Sequence, residues 1–383
     1  MSAWGRLLGS AVRNLEHRFD EMRGRPQRRA RQIVAYRGFG TSHELHVTGR
    51  VLANERLAPP SAADSWWRNL RATYRRMGSA EVPAARVIVE VNGGTADAVT
   101  DDEGYFRARV VPGVPLREGR LWHDGTVRLA DDAGIQEPVY VLTPPSEARF
   151  GIISDLDDTV MRTDVANVVR MMRELLLGNA HTRLPFPGVA SFYRALHRGA
   201  GAAALNPIFY VSSSPWNLYD LIVDFLEHRD IPVGPLMLRD WGVSEQEILP
   251  RGHGLHKRGA IRQILDTYAG LPFILIGDSG QEDPEIYREV VRDYPRRILA
   301  IYIRNVTPDP LRADAITRLA DEVRDDGSTL MLSDDTLNAA QHAARHGWID
   351  HSELVEVRAE SKAETRPSDP KSPTVVVEEN PPG

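Results

Sequence analysis

The chain has 383 residues, more than one compact core usually holds, so its length favours two domains. Hydrophobic residues make up 42% of it and charged residues 26%, which is ordinary for a globular protein and excludes wholesale disorder. The absence of cysteine excludes disulfides, thiolate catalysis and zinc–thiolate sites, so a metal site has to use oxygen or imidazole ligands. A net charge of -6 argues against nucleic acid as a partner bound through overall basicity.

The N-terminal segment, residues 1–31, contains eight arginines and an apolar residue at every third or fourth position. This spacing predicts an amphipathic helix. Two interpretations stay open, a helix on the surface of an anionic membrane and a helix docked on its own domain. No apolar run approaches the roughly 18 residues of a membrane span, and we find no secretory signal, so we expect a cytoplasmic protein that at most associates peripherally with membranes.

Residues 32–148 consist of short alternating runs divided by turn residues, such as HELHVTGRVL, ARVIVEVNG and YFRARVV. This pattern predicts a small antiparallel β-sandwich domain. The segment SWWRNLRATYRRM interrupts it with a helical pattern that is basic and aromatic. Packing in the core and contact with anionic lipid both stay open for this insertion.

Residues 149–355 alternate between strand and helix patterns. Apolar runs at 150–154, 207–212, 272–278 and 297–303 are short and almost unbroken, as in strands that are buried on both faces. The alternation predicts an α/β domain with a doubly wound parallel sheet. Residues 356–383 are rich in proline, serine and charge, and we expect a disordered tail there.

Polar residues follow the predicted strands, at the edge where open parallel sheets bind ligands. Asp155 and Asp157 leave the first strand two residues apart, and such carboxylates suit Mg²⁺ or attack on phosphorus, although turn and helix-capping roles are the alternative. Ser212 ends the second strand and is placed to donate to a phosphate oxygen or to the local backbone. Ser214, directly before Pro215, has the form of a helix N-cap.

Two further signals lie later in the same domain. Lys257 falls on the inward face of a predicted helix, where it needs an anionic partner unless its stem carries the amine to solvent. Asp278 ends a strand between Gly277 and Gly280, which give the loop conformational freedom, and Asp283 precedes a proline as a helix N-cap does. The order of these signals along one sheet is more specific than any single member.

The segments DLDDTV, YVSSSPWNLYD, HKRGAI and GDSGQEDPEIY together resemble the phosphatidate phosphatase family typified by the yeast actin-patch protein, within the haloacid-dehalogenase superfamily. The resemblance covers about residues 148–310. It implies a haloacid-dehalogenase-like Rossmannoid fold, Mg²⁺ as the cofactor, and phosphatidate or a related lipid phosphate as the substrate.

The resemblance also implies roles for individual residues. Asp155 would be the nucleophile that forms an aspartyl-phosphate, and Asp157 would protonate the leaving alcohol and then activate water. Ser212, Ser213 and Lys257 would hold the phosphoryl oxygens.

The implied metal ligands are oxygen atoms. Asp155 and Asp278, together with the backbone carbonyl of Asp157, would bind Mg²⁺, with Asp283 supporting the metal through water or holding Lys257. Glu282 lies next to Asp283, so which of these two acids takes that position stays open.

The spacing of the motifs bears on the size of the substrate. Only 46 residues separate Thr159 from Asn206, and they already include two helical patterns, which leaves little for a large lid. An open site favours a bulky substrate, as a membrane lipid or a protein would be. The alternatives are a phosphatase of proteins or soluble phosphomonoesters, and a non-catalytic module that binds a membrane or a partner.

Overall fold

The computed structural model describes residues 30–54, 80–156, 188–201, 204–239, 251–306 and 309–365. They form a unit built on a largely antiparallel sheet, followed by a unit built on a parallel sheet with helices. The mixed α/β class with these two kinds of sheet is confirmed. The predicted N-terminal helix and the predicted helical insertion both lie outside the described residues, except for the last two positions of 1–31.

The antiparallel unit has nine strands: β1 Ala30–Ala35, β2 Gly38–Gly40, β3 Leu45–Asn54, β4 Ala80–Glu81, β5 Arg86–Val91, β6 Gly94–Val99, β7 Tyr105–Val110, β8 Trp122–Leu129 and β9 Gln136–Leu142. Their main order is β1-β3-β2-β9-β8-β5-β6, while β4 and β7 also pair with β3. All these pairs are antiparallel except β2 with β9.

The core of this unit follows from the period-two pattern of its strands. Alternate residues such as Val87, Val89 and Val91 of β5 are fully buried, and the residues between them face outward. The nine strands form one continuous sheet around this core, because the long strand β3 pairs on both of its edges. The predicted antiparallel unit is confirmed, and its nine strands join in one hydrogen-bonded sheet.

The parallel unit has six strands: β10 Gly151–Asp155, β11 Ile208–Pro215, β12 Leu236–Arg239, β13 Phe273–Asp278, β14 Ile298–Arg304 and β15 Leu330–Ser333. Their order in the sheet is β12-β11-β10-β13-β14-β15, and every pair is parallel. The direction of winding reverses between β10 and β13. This is the topological switch point, where open α/β sheets form their ligand crevice.

Seven helices accompany this sheet in the described part of the chain: α1 Val189–Arg198, α2 Tyr219–His228, α3 Arg251–Thr267, α4 Asp283–Asp293, α5 Pro310–Asp325, α6 Thr336–Arg345 and α7 Glu353–Thr365. Helices α1, α2, α6 and α7 pack on one face of the sheet, and α3, α4 and α5 pack on the other. Both faces are thus covered, which explains the unbroken apolar runs of the strands. None of the described helices combines the length and apolarity that crossing a bilayer requires.

Helix α7 corrects the predicted start of the disordered tail. Residues 356–365 are helical, and Val357 is completely buried against the other helices of its face. Arg194 of α1 also pairs with Glu356 at 2.7 Å. The charge that suggested disorder therefore belongs to the exposed and ion-paired face of a docked helix, while residues 366–383 lie outside the described residues.

The two units contact each other beside the carboxyl end of β11. The Tyr36 ring stacks on Trp216, with centroids 4.3 Å apart, and Arg50 donates to the Asn217 side chain at 3.1 Å. Both partners lie in the 3₁₀ turn Trp216–Leu218, which follows β11 directly. The antiparallel unit therefore packs against the turn that leaves the strand carrying the predicted phosphate-binding serines.

Candidate active site

Asp155 is the last residue of the central strand β10 and is 2% exposed. It lies opposite Val211 of β11, while Ser154 lies opposite Ile276 of β13. The carboxyl ends of both neighbouring strands therefore flank Asp155, which places the predicted residues of three motifs at the switch point of the sheet.

Lys257 projects from α3 into the same place and is 3% exposed. Its Nζ lies 3.0 Å from Asp155 Oδ1 and 2.5 Å from Asp283 Oδ1. The expectation of an anionic partner is confirmed, and the alternative in which the stem carries the amine to solvent is wrong. Burying a cation with two carboxylates costs free energy, because each ion loses its hydration. The pairing therefore indicates a functional site.

Asp278 and Asp283 are tied together through the short loop between β13 and α4. The backbone N–H of Gly280 donates to Asp278 Oδ1 at 2.8 Å, and that of Gln281 does so at 3.2 Å. The N–H of Asp278 in turn donates to Asp283 Oδ2 at 3.1 Å. Both carboxylates are completely buried, and these bonds fix their orientation.

The structure corrects two predictions for this loop, the role of Gly277 and the position of Asp283. A Cβ on Gly277 would lie 2.4 Å from Asp283 Oδ2, so this glycine serves to admit the carboxylate rather than to loosen the loop. Asp283 is the first residue of α4 and turns inward, whereas the N-cap position is held by Glu282. Glu282 is exposed, so Asp283 is the acid that joins the cluster.

The serines at the carboxyl end of β11 are buried, but the predicted capping role of Ser214 is wrong. Strand β11 runs through Pro215, and the N-cap of the following 3₁₀ turn is Pro215, without a side-chain capping bond. Ser214 donates its backbone N–H to Ser212 Oγ at 3.0 Å, which orients that hydroxyl. Ser213 is also buried, at 2% exposure.

Burial dominates the electrostatics of the cluster. It raises the pKa of Asp155 well above the ordinary range, and Asp283 adds to this rise while Lys257 opposes it. Burial likewise raises the pKa of Asp283, against the effect of Lys257. A cation bound beside these carboxyl groups would favour their charged forms and so oppose the effect of burial.

The donor set fits a hard divalent cation. One carboxylate oxygen from each of Asp155, Asp278 and Asp283 lies within 4.8 Å of the others. Oxygen donors from several carboxylates are what Mg²⁺ prefers in proteins. Asp157, predicted as a fourth contributor, lies outside the described residues, as does Thr159.

Two residues near the site were not found from the sequence. Tyr193 of α1 is buried, and its hydroxyl lies 2.7 Å from Ser154 Oγ, directly before Asp155. Arg312 in the first turn of α5 bonds to the loop after Asp278. The Asp–Pro pair at 309–310, a sign of a helix start, could have indicated that Arg312 lies at the carboxyl edge of the sheet.

Comparison with known families supports the resemblance seen in the motifs. Residues 150–305 match the family model for the catalytic domain of phosphatidate phosphatase APP1. The predicted resemblance is thus confirmed over a range that contains all the described carboxylates of the cluster and Lys257.

Two curated relatives from yeasts are similar to the chain. Phosphatidate phosphatase APP1 of Saccharomyces cerevisiae is 33% identical over 156 residues, covering 40% of this chain and 26% of the relative. An uncharacterised protein of Schizosaccharomyces pombe is 29% identical over 230 residues, covering 58% of this chain and 36% of the relative. The chain thus spans about a third or less of the length of these relatives.

Among solved structures, the PilB minor pilin from Streptococcus sanguinis aligns with 74% of this chain and 88% of its own, at a TM-score of 0.24 and 10% identity. A likeness of this size carries no argument about fold or function.

Proposed function

We propose that the chain is a Mg²⁺-dependent phosphatidate phosphatase that works through an aspartyl-phosphate on Asp155. The observation that carries the proposal is the buried contact of Lys257 with both Asp155 and Asp283, beside Asp278, at the switch point of a parallel sheet. The family-model match over residues 150–305 supports phosphatidate as the substrate.

The strand order supports a haloacid-dehalogenase-like Rossmannoid fold for the parallel unit. Numbered from β10, the order is 3-2-1-4-5-6, and the nucleophile we propose ends strand 1. Asp278 ends strand 4 on the other side of the switch point. This arrangement places both acids on one crevice.

In the first step, Asp155 attacks the phosphorus of the lipid phosphate. A bond forms between a carboxylate oxygen and phosphorus as the bond from phosphorus to the lipid oxygen breaks, and Asp157 gives its proton to the departing alkoxide. The products are diacylglycerol and the phosphorylated Asp155. Lys257 and the serines Ser212 and Ser213 hold the phosphoryl oxygens, where the ammonium offsets charge that develops in the transition state.

In the second step, Asp157 takes a proton from water as the water oxygen attacks phosphorus. The bond between phosphorus and Asp155 breaks, which releases inorganic phosphate and restores the carboxylate. Using one acid as donor and then as acceptor requires a carboxyl group whose protonation alternates near the working pH. Tyr193 contributes indirectly, since its bond to Ser154 stabilises the backbone next to the nucleophile.

We assign the Mg²⁺ to Asp155, Asp278 and Asp283, with Asp157 as a further contributor, because these residues offer the oxygen donors that the ion prefers. The ion supplies neutralisation of the phosphoryl charge when it is bound. The residues of the chain keep the acids oriented, through the N–H groups that bond Asp278 and through Lys257 on Asp283.

Release of phosphate from phosphatidate in mixed micelles tests the proposal, with p-nitrophenyl phosphate as the soluble comparison and chelator in parallel reactions. We expect Mg²⁺-dependent release from the lipid at a higher kcat/KM than from the soluble ester, and none from Asp155→Asn. Preference for the soluble ester or for a phosphopeptide would favour the alternative phosphatases. No release from any ester would favour a non-catalytic binding module.

We further propose that the protein is cytoplasmic and meets its substrate at the membrane surface, with residues 1–31 as an anionic-membrane anchor. Removal of this segment should then lower activity on vesicle-embedded phosphatidate and spare p-nitrophenyl phosphate. A parallel fall of both rates and of the melting temperature would instead indicate a helix docked on the protein.

A further inference from the structure

The loop from Ser279 to Glu282 connects the last residue of β13 to the first residue of α4. Those two residues are Asp278 and Asp283, the acids assigned to the metal. Because the loop is only four residues long, its conformation sets how the two carboxylates face each other. The bonds from the N–H groups of Gly280 and Gln281 to Asp278 depend on that same conformation.

Arg312 holds this loop from outside. Its Nε donates to the carbonyl of Ser279 at 3.0 Å, and one terminal nitrogen donates to the carbonyl of Gln281 at 2.6 Å. The same nitrogen donates to Glu285 Oε2 at 2.9 Å, and the other terminal nitrogen donates to Glu285 Oε1. One planar guanidinium therefore joins two peptide carbonyls of the loop to the first turn of α4.

The geometry requires the fork of an arginine. A lysine carries a single nitrogen on a flexible stem and cannot reach all four of these acceptor oxygens at once. Arg312 is anchored in turn, because Asp309 caps α5 by accepting the N–H of Leu311 at 3.0 Å. The fixed start of α5 thus sets the position from which the guanidinium reaches the loop.

The guanidinium also acts on the charges of the site. The hydrogen bond with Glu285 raises the pKa of Arg312, and the nearby carboxylates Asp278 and Asp283 raise it further. The residue therefore stays charged beside two of the three acids. Arg312 lies outside residues 150–305, so the family-model match assigns it no role.

We propose that Arg312 is a positioning residue for the metal site, which holds the loop Ser279–Glu282 so that Asp278 and Asp283 present their oxygens together with Asp155. This inference rests on the proposed function, and it adds a residue that is not itself a metal ligand. It acts through two backbone carbonyls.

The test compares Mg²⁺ binding to the full chain by titration calorimetry for the wild type, Arg312→Lys and Arg312→Met. The matched control is Arg288→Met, since Arg288 joins α4 to α5 through Glu322 at 3.2 Å and is similarly exposed, but has no bond to the loop. Asp278→Asn serves as the variant that loses a ligand. The melting temperature and the Mg²⁺ concentration for half-maximal phosphate release are measured on the same samples.

We expect both Arg312 variants to bind Mg²⁺ at least tenfold more weakly than the wild type, and to need at least tenfold more Mg²⁺ for half-maximal activity. Saturating Mg²⁺ should restore most of kcat. Arg288→Met should lower the melting temperature by a similar amount without changing Mg²⁺ affinity.

Three results would overturn the proposal: unchanged Mg²⁺ affinity in Arg312→Met, equal weakening in Arg288→Met, and a wild type that binds no Mg²⁺. If Arg312→Met fails to fold, Arg312→Lys and Glu285→Gln decide the question in the same assay. A wild type that binds Mg²⁺ but releases no phosphate from phosphatidate would refute the proposed function alone, because the calorimetric comparison does not depend on turnover.

Discussion

The two units of the molecule bury charge in different ways. In the parallel unit, four ionisable side chains lie together at one edge of the sheet, each at most 3% exposed: Asp155, Lys257, Asp278 and Asp283. In the described part of the antiparallel unit, the buried basic side chains are Arg50 and His123, which lie apart on β3 and β8. The other buried polar side chains in that part of the unit are uncharged, as in Thr100 and Thr143.

This difference indicates that the parallel unit carries the active site and that the antiparallel unit supports it structurally. Burying charge costs free energy that apolar packing does not recover, so a cluster of buried ions indicates chemistry rather than stability. Arg50, by contrast, bonds the carbonyl of Glu103, the carboxylate of Glu81 and the side chain of Asn217. The buried charge of the antiparallel unit thus serves its own fold and the contact with its neighbour.

The largest expected effect comes from Asp155→Asn. The amide is nearly isosteric and keeps the packing, but it cannot act as the nucleophile, so we expect kcat to fall by at least about a thousandfold. Phosphate release under single-turnover conditions and far-ultraviolet circular dichroism check activity and fold on one sample. Activity above a few per cent of the wild type would remove Asp155 from this role.

Lys257→Met tests the buried charge directly. Without the ammonium, Asp155 and Asp283 lose their cation, and the free energy of unfolding should fall by about 3–5 kcal/mol. The control is Arg258→Met, on the same helix, whose partners Glu289 and Asp293 lie at the surface; there we expect about 1 kcal/mol or less. Urea denaturation without Mg²⁺ measures both, and equal losses would contradict the distinction between the two kinds of ion pair.

Arg50→Met tests the contribution of the antiparallel unit to stability and activity. Loss of three hydrogen bonds should lower the free energy of unfolding by about 1–3 kcal/mol, and kcat/KM should fall several-fold because Asn217 follows the strand with the predicted phosphate-binding serines. Arg31→Met, which breaks the surface pair with Asp131, is the control on the same sheet. Unchanged kcat/KM in Arg50→Met would limit the antiparallel unit to a purely structural role.

The smallest expected effect is a pH dependence of the free energy of unfolding. It arises from His342 in α6, on the face of the parallel sheet opposite α3. Burial, together with the nearby His346 and Arg345, lowers the pKa of His342 from 6.5 to about 4. The unfolded chain therefore binds this proton near pH 6.5 and the folded protein only near pH 4. Stability is full above pH 6.5 and is lost as the pH falls towards 4, by about 2 kcal/mol at pH 5.

His342→Phe should flatten this dependence, since the ring still packs near Tyr302 but no longer titrates. Melting temperatures of the variant and the wild type between pH 5 and 7.5 measure the difference. Parallel curves would show that His342 makes no such contribution.

Much of the parallel unit could be predicted because its strands are buried on both faces. The apolar runs before Asp155 and Asp278 became β10 and β13, and the polar residue that ends each run marked the edge of the sheet. The inward position of Lys257 followed from helical periodicity alone. These positions could be predicted from local sequence patterns, because each polar residue lies in or next to the strand or helix that positions it.

Other features depend on contacts distant in sequence, and the patterns missed them. Arg312 donates to backbone carbonyls, and because every residue has one, the sequence does not show which carbonyls it contacts. A glycine is needed at position 277 because Asp283 approaches it closely. Ser214 is not a helix cap because β11 continues one residue past it. The docking of α7 depends on partners from α1, so its charged sequence resembled a disordered tail.

Phosphopeptide mapping shows whether Asp155 receives the phosphoryl group of phosphatidate. The Asp157→Asn variant, in which hydrolysis of the intermediate should be slow, is mixed with phosphatidate micelles and Mg²⁺, quenched in acid and digested. We expect phosphate on the tryptic peptide 150–162, at Asp155, and none when Asp155→Asn is added to the same variant. Phosphate on a different residue, or release of phosphate with no phosphorylated peptide at any time, would contradict this role of Asp155.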